Sequence, residues 1–367
     1  MKNITKYLLV SLFALSFSVA QAGALSVTGS AKASYTVTSS DGTAGAVEAG
    51  KGLGVVNEFT FGASGETDFG TWAYATDFDG GTLLDDAKLT LTTSVGTFGV
   101  FISEGGLDTD NAASQSVVSR PSDTSYDEGM FDSFDLSGSN TIQYHSPAGL
   151  LPFGVAFKVA YAPSNSSATQ GNSTTALNDY KAGGSANTGA FTANSSTAIS
   201  QTAQMGKSAT HYQVSAAPID GLTIGADYVD FDGVVDATAQ SPESGSVYAV
   251  YAMGPAKIGY SRNYASFAIG AQTAGSGTDH IESVKGTKYS LGVNVNDNMS
   301  ISYEHEESVP NNQASGTVKP TITSKGIQAA YTVGGMTLAV AMNDHTNATY
   351  TQNKNVKDTV LSIAMAF

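Results

Sequence analysis

The chain contains no cysteine among its 367 residues, so it can form no disulfide and offers no thiolate for catalysis. Basic residues are also few, with 17 Lys and Arg against 32 Asp and Glu. A chain with so little positive charge lacks the basic stripe that nucleic-acid binding needs, so we expect no nucleic-acid partner. Only 9 Pro and one Trp accompany 40 Gly and 33 Phe and Tyr, a composition typical of β proteins with glycine-rich turns.

Long apolar runs are missing after the first two dozen residues, although hydrophobic residues make up 41% of the chain. No later stretch reaches 18 apolar residues, which argues against helical membrane spans. In hydrocarbon every backbone N–H and C=O group needs an internal partner. A chain without apolar helices can therefore cross a membrane only as a closed β-barrel.

The first 22 residues have the pattern of an export signal. Lys2 and Lys6 give a positive start, Leu8–Val19 an apolar core, and Ala20–Ala22 a small-x-small cleavage site. A retained anchor helix is the alternative, but the apolar core is shorter than the ~20 residues of a helical span. Removal of residues 1–22 would leave 15 basic and 32 acidic side chains, a balance of −17.

Apolar and polar residues alternate with period 2 along the rest of the chain. Leu25, Val27 and Tyr35 belong to the apolar set of the first segment, and Leu361 and Phe367 to that of the last. Such alternation places the two sets on opposite faces of a sheet. Turn signals divide the pattern into sixteen predicted strands, near 24–37, 54–67, 70–79, 83–95, 97–103, 138–146, 151–163, 208–217, 219–231, 245–253, 255–265, 285–295, 297–308, 321–333, 335–344 and 356–367.

Short and long connections alternate between these strands. Transmembrane barrels combine short periplasmic turns with longer outer loops, and an even strand number puts both termini on the periplasmic side. A soluble β-sandwich has no reason to sort its connections in this way. The sequence therefore predicts an all-β fold, a transmembrane antiparallel β-barrel of sixteen strands.

The terminal Phe367 strand, the strand count and a long loop after the fifth strand resemble the general diffusion porins of Gram-negative bacteria. These are sixteen-stranded trimeric proteins, and the chain is most similar to those of alphaproteobacteria. The resemblance covers residues 23–367. It implies a homotrimeric, water-filled channel in the outer membrane for ions and small hydrophilic solutes. The implied partners are outer-membrane lipid, lipopolysaccharide and, through the Phe367 strand, the barrel-assembly machinery.

In that family the third outer loop folds into the barrel and narrows it, and the matching segment here is 104–138. Its eight acids and one base are the candidate constriction residues: Glu104, Asp108, Asp110, Asp123, Asp127, Glu128, Asp132, Asp135 and Arg120. Its candidate apolar anchors are Val117, Val118, Met130, Phe131, Phe134 and Leu136. A solvated surface loop is the alternative interpretation of such an acidic stretch.

Five lysines fall on the polar parity of their strands and are candidates for the pore wall: Lys32, Lys88, Lys158, Lys257 and Lys288. They could equally be solubilising residues without a role in selectivity. The acidic excess favours a mild preference for cations that salt weakens, because the Debye length is only ~10 Å at 0.1 M. Arg262 falls on the apolar parity, so we expect it at the membrane rim or in a subunit contact.

Signals for chemistry are weak. Acid pairs such as Asp108 and Asp110 are compatible with a structural calcium ion. Acids of this spacing more commonly cap turns, however, and no pair in the sequence completes a calcium-binding loop. The five histidines are scattered, and no Gly-x-Ser-x-Gly elbow stands out, so we expect no catalytic residue, no metal site and no cofactor. Residues 164–206 are expected to form a long external loop. A solute-specific channel and a surface structural or adhesive β protein remain as alternative functions.

Overall fold

The computed structural model of the protein describes residues 24–40, 50–79, 82–102, 104–123, 129–134, 136, 140–163, 205–234, 242–266, 281–312 and 319–367. Sixteen strands carry the fold. The first eight are β1 (Ala24–Ser40), β2 (Gly50–Thr67), β3 (Gly70–Asp79), β4 (Thr82–Thr93), β5 (Gly96–Ile102), β6 (Thr141–His145), β7 (Ala156–Pro163) and β8 (Met205–Ile219). The second eight are β9 (Leu222–Val234), β10 (Glu243–Met253), β11 (Ala256–Ser266), β12 (Ile281–Asn294), β13 (Met299–Asn312), β14 (Ile322–Val333), β15 (Met336–Thr346) and β16 (Val356–Ala366).

Each strand pairs antiparallel with its sequence neighbours, and β1 pairs with β16 to close the barrel. The closing register runs from Ser30 opposite Ala366 to Ser40 opposite Val356. Phe367 continues this ladder, because its N–H donates to the Gly29 carbonyl at 2.9 Å and its own carbonyl accepts from the Gly29 N–H at 2.7 Å. Closure leaves no free sheet edge, which is the condition for crossing hydrocarbon with strands.

The two faces of the barrel wall have opposite chemistry. Large hydrophobic side chains point outward and are exposed, for example Leu25, Phe61, Leu291, Ile327 and Ile363. Side chains of the other parity point inward and are mainly polar, including the buried Ser244, Ser261, Ser290, Ser302 and Gln328. An apolar exterior around a polar interior is the reverse of a soluble protein and is the pattern of a barrel set in lipid.

The predicted count of sixteen strands is confirmed, and most strand ends agree to within about four residues. Two local predictions are wrong. Residues 151–155 are not strand, because Pro152–Gly154 forms a 3-10 turn before β7 begins at Ala156. Ile219, the predicted start of the strand over 219–231, instead ends β8, so the turn lies at residues 220–221 and β9 begins at Leu222.

Some predictions fall outside the described residues. These are the export signal at 1–22 and nearly all of the external loop at 164–206, of which only 205 and 206 are described, as the start of β8. None of the helical turns in the described part of the chain has the length and apolar character that a membrane crossing by a helix would require.

Candidate functional site

The described part of the connection between β5 and β6 lies inside the barrel, against its polar inner wall. Two 3-10 turns in this described part, Asp110–Ala113 and Pro121–Asp123, contact β10 to β12 and β13 to β14, respectively. The wall residues that they meet belong to the inward parity, so this part of the chain occupies the lumen and not the outer surface. This part, residues 104–123, 129–134 and 136, is called the inner segment below.

Side chains of the wall hold the backbone of the inner segment. An irregular chain leaves its N–H and C=O groups without ladder partners, and buried groups of this kind need hydrogen bonds from elsewhere. Inward serines and a glutamine supply them. The bonds join the Gln115 N–H to Ser290 Oγ (2.7 Å), the Val117 N–H to Ser302 Oγ (3.0 Å), the Val118 N–H to Gln328 Oε1 (2.8 Å) and the Phe134 N–H to Ser244 Oγ (2.6 Å).

Two inward-facing glycines allow the inner segment to lie directly on the strands. A Cβ atom at Gly259 would overlap the carbonyl oxygen of Ala113. A Cβ atom at Gly286 would stand 2.8 Å from the carbonyl oxygen of Phe131. Glycine within a strand often marks such a close approach of another backbone. Where the segment crosses it, the wall is therefore polar and also lacks the side chains that would keep the two backbones apart.

Near its start the inner segment is anchored to an acid on β9. The N–H and the hydroxyl of Thr109 both donate to Asp227 Oδ2, at 2.8 and 2.7 Å. Ser246 donates to the same oxygen, and His211 Nε2 lies 3.3 Å from Asp227 Oδ1. All of these side chains are buried. A buried carboxylate with so many partners fixes Thr109, and with it the entry of the segment into the lumen.

A cluster of charges forms where the inner segment crosses β12 and β13. Arg120 donates from Nη1 and Nη2 to the two carboxylate oxygens of Asp132, at 2.5 and 3.0 Å. Lys288 of the wall donates to Asp132 Oδ1 at 2.5 Å. Glu306 of the wall accepts from the Ser122 N–H at 2.8 Å. Among the described residues, the cluster contains five carboxyl groups and two cations: Asp110, Asp123, Asp132, Glu304, Glu306, Arg120 and Lys288.

Two acids of the inner segment respond to this cluster in opposite ways. Burial raises the pKa of Asp110 to about 6, and the charge of Asp132 adds to that rise. Burial also opposes ionisation of Asp132, but the Lys288 ammonium and the Arg120 guanidinium outweigh it and hold the pKa of Asp132 below its usual range. Asp132 is thus a permanent anion at neutral pH, whereas Asp110 titrates in the mildly acidic range.

The far end of the inner segment is apolar. Met130, Phe131, Phe134 and Leu136 are buried in one cluster with wall residues from β7, β8, β9, β11, β12 and β14. The rings of Phe134 and Phe231 meet edge to face with centroids 6.0 Å apart. Four of the six candidate anchors therefore pack against the wall, whereas Val117 and Val118 are half-buried and bind through their backbone.

The remaining candidate constriction residues have different surroundings. Glu104 pairs with Lys88 at 3.2 Å across the start of the segment. Asp108 is half-buried, and Asp110 is fully buried, so the Asp110 carboxyl group does not line open lumen. Asp123 and Asp132 keep 43% and 41% of their side chains exposed. Asp127, Glu128 and Asp135 lie outside the described residues.

The five candidate wall lysines all lie on the inward parity, but two of them form ion pairs with acids of the inner segment. Lys288 is 1% exposed and sits beneath the inner segment, and Lys88 is paired with Glu104. Lys32 and Lys158 are half-buried and Lys257 is exposed. Across the described ranges, these last three lysines form no ion pair.

The wall acids Asp227, Glu304 and Glu306 belong to the site, although the sequence did not single them out. The sequence did contain a signal for the two glutamates, because the alternation along β13 places them on the inward face, away from the outward-facing Ile301 and Tyr303. Their importance was hidden, since the alternation does not show which inward residues the inner segment will cover.

Ser324, His345 and Asp358 form a hydrogen-bonded row on β14 to β16. Ser324 Oγ lies 2.9 Å from His345 Nδ1, and His345 Nε2 lies 2.9 Å from Asp358 Oδ1. Both Ser324 and His345 are fully buried and Asp358 is 2% exposed, so a substrate has no access to the hydroxyl group. Among the described residues, no group of three or more His, Asp or Glu side chains is arranged to hold a metal ion.

No family model matches the sequence, and no curated protein matches it. Solved structures do match. An anion-selective porin from Comamonas acidovorans is 13% identical, with a TM-score of 0.62 over 94% of this chain and 100% of that one. OmpF of Salmonella typhi, solved with daunomycin, is 12% identical, with a TM-score of 0.59 over 95% and 100%. A porin refined at 1.8 Å resolution is 13% identical, with a TM-score of 0.58 over 94% and 100%. The chain therefore has the sixteen-stranded barrel fold of the porins.

Proposed function

We propose that this protein is an outer-membrane porin, a water-filled and size-limited channel for passive diffusion of ions and small hydrophilic solutes. One observation carries the proposal: a closed barrel, apolar outside and polar inside, has a segment of its own chain folded into the lumen. Sixteen strands leave room for an aqueous channel. The inner segment then sets the width of that channel, and the protein performs no chemistry.

A mild preference for cations follows from the charges at the inner segment. The described part of the inner segment has five acids and one base, and two of these acids, Asp123 and Asp132, keep 43% and 41% of their side chains exposed. Carboxylates along a channel raise the local concentration of cations and repel anions. The unpaired Lys32, Lys158 and Lys257 act against this excess, which keeps the preference small.

Export, assembly and oligomerisation are part of the same proposal. Residues 1–22 would be removed after export, and the Phe367 strand would be read by the barrel-assembly machinery. Small outward residues in β1, among them Gly29, Ala31 and Ala33, favour close packing between barrels in a homotrimer. The exposed apolar wall would contact outer-membrane lipid and lipopolysaccharide.

Two alternatives differ in their fit to the structure. A closed barrel leaves no place for a repeat solenoid with an adhesive role. A solute-specific channel shares the fold but would discriminate between sugars of equal size. Liposome swelling with stereoisomeric sugars separates these cases, because a passive pore admits isomers of one size at equal rates.

The reversal potential in a planar bilayer under a salt gradient tests the proposal directly. The conductance of the wild-type protein should rise in groups of three equal steps, one for each pore of a trimer. Its reversal potential should be small and have the sign expected for a channel that prefers cations. Asp123→Asn and Asp132→Asn, which alter the two exposed acids of the inner segment, should shift the potential towards zero. Asp344→Asn is the matched control, because Asp344 is an exposed acid of the outward parity. Folded protein without conductance, or equal selectivity in all variants, would contradict the proposal.

A further inference from the structure

The outward face of β9 to β12 contains a hollow of about 430 Å³. Ala226 and Gly245 form its floor, where the absence of large side chains leaves space. Its walls are Val247, Arg262, Tyr264 and Lys285. These side chains alternate along their strands with the buried, inward-facing Ser246, Ser261 and Asn263, so the hollow opens away from the lumen.

The two cations of the hollow lie just beyond the apolar belt. On β11 the outward residues are Ala256, Ile258 and Tyr260 before Arg262 is reached. On β12 the outward Tyr289 pairs with Tyr260, with ring centroids 5.2 Å apart, and Lys285 lies four residues nearer the outer end. Tyrosine rings collect at the membrane–water interface. Arg262 and Lys285 are therefore placed at the level of lipid headgroups.

Arg262 and Lys285 are also close to each other. Arg262 pairs with Thr287 and Tyr264 pairs with Lys285, which makes the two cations diagonal neighbours, about 7–8 Å apart and within reach of long side chains. Both side chains are exposed. One tetrahedral anion could accept hydrogen bonds from both, and the planar guanidinium group suits two oxygens of a phosphate.

Neither cation has an acidic partner within the described ranges. Other outward charges near the same rim do pair, since His305 Nε2 lies 3.2 Å from Glu307 Oε1 and Lys357 Nζ lies 3.7 Å from Asp344 Oδ2. An outward cation is costly at the membrane midplane and much less costly near the interface. An anionic ligand in the hollow would offset that cost, and the apolar Val247 and the Tyr264 ring would contact its uncharged part.

We propose that Arg262 and Lys285 bind the phosphate group of an anionic lipid in the outer leaflet. The proposal rests on the outer-membrane location given under the proposed function, and it adds the site and the ligand chemistry. Arg262 is the specificity-determining residue, because its two parallel donors match phosphate oxygens. Lys285 supplies the second charge.

Native mass spectrometry of the refolded full chain in neutral detergent tests the site, with diphosphorylated lipid A as the probe and phosphatidylcholine as the neutral comparison. Arg262→Gln/Lys285→Gln should retain lipid A roughly tenfold less than wild type, since loss of a charge-assisted hydrogen bond has an effect of that order. Arg262→Lys should be intermediate. Lys325→Gln is the matched control, because Lys325 is an exposed outward lysine outside the hollow. Heat-modifiable migration on gels checks that every variant is folded.

Equal retention of lipid A by the double variant would overturn the proposal, as would an equal loss in Lys325→Gln, which would show diffuse charge attraction. Displacement of lipid A by an equal concentration of inorganic phosphate would assign the site to a soluble anion. Loss of subunits in the double variant would assign it to a subunit contact. Conductance of the double variant separates the two proposals, because both residues face away from the lumen and should leave the channel unchanged.

Discussion

The inner segment can contact β11 closely because residue 259 is a glycine. The substitution Gly259→Ala is therefore the sharpest test of where the inner segment lies on the wall. The new methyl group would overlap the Ala113 carbonyl oxygen and stand 2.7 Å from its carbon. Carbon atoms in contact prefer about 3.5–4.0 Å, and the carbonyl oxygen would be closer still. The turn Asp110–Ala113 must therefore move by at least about 1 Å away from the wall. The wall blocks every direction except the lumen.

The cost of this move can be worked from the same contacts. Overpacking of this kind costs about 1–3 kcal/mol. The hydrogen bond from Ser261 Oγ to the Asp110 carbonyl, 3.0 Å long, would stretch or break, at about 0.5–1.5 kcal/mol. We therefore expect the docking of the inner segment to weaken by about 2–4 kcal/mol, whereas the strand ladder of the barrel is unaffected.

Single-channel recording and limited proteolysis measure the two consequences. Gly259→Ala should lower the open-channel conductance and speed cleavage within residues 104–123, with no change in the thermal unfolding of the barrel. Gly52→Ala is the matched control, because Gly52 is also an inward strand glycine but has no atom within 4 Å of its Cβ position. Conductance and cleavage equal to wild type in Gly259→Ala would refute the placement of the segment on β11.

Two further predictions concern acidity and assembly. Because the pKa of Asp110 is raised to about 6 from an ordinary value of 3.8, its contribution to docking is fully present below pH 3.8 and is lost as the pH rises through 6. The protection factors of residues 104–123 in hydrogen exchange, which are corrected for the intrinsic pH dependence of the rate, should thus be larger at pH 4 than at pH 7. A pH profile of these protection factors that Asp110→Asn leaves unchanged would contradict this cause. Phe367→Ser should refold in detergent with a stability change below about 1 kcal/mol, since the ring is 65% exposed and touches only Phe59 in the described aromatic pairs. If the assembly machinery reads this ring, the folded protein should be depleted in cells, and normal cellular amounts would argue against that role.

The barrel could be predicted from the sequence because its signal is local. The alternation from Leu25 to Val37, or from Tyr289 to Val295, predicts which residues face outward, and the turn residues between such segments mark where each strand ends. The same rule placed Arg262 on the outward face, where the structure has it. The errors at 151–155 and at Ile219 come from turns, where the chain has no alternation to follow.

The position of the inner segment could not be predicted in this way, since it depends on contacts between residues far apart in the chain. Composition showed an acidic stretch but not that Asp110 would be buried while Asp132 would bind both Arg120 and Lys288. Parity places Lys288 on the inward face of β12, yet it gives no information about what lies above this lysine. Only the folded chain shows that this lysine is covered.

The inner segment is an acidic chain docked on a wall that carries acids of its own, and this has a physical consequence. Coulomb repulsion among Asp132, Glu304 and Glu306 opposes docking, whereas Arg120, Lys288 and the serine hydrogen bonds favour it. Asp132 takes part in this repulsion and, as a partly exposed acid, also in the proposed cation preference, so selectivity and firm docking work against each other. A wall with more lysines would hold the segment better but would remove the field in the channel. Hydrogen bonds from neutral serines resolve the conflict, because they fix the backbone without changing the charge of the lumen.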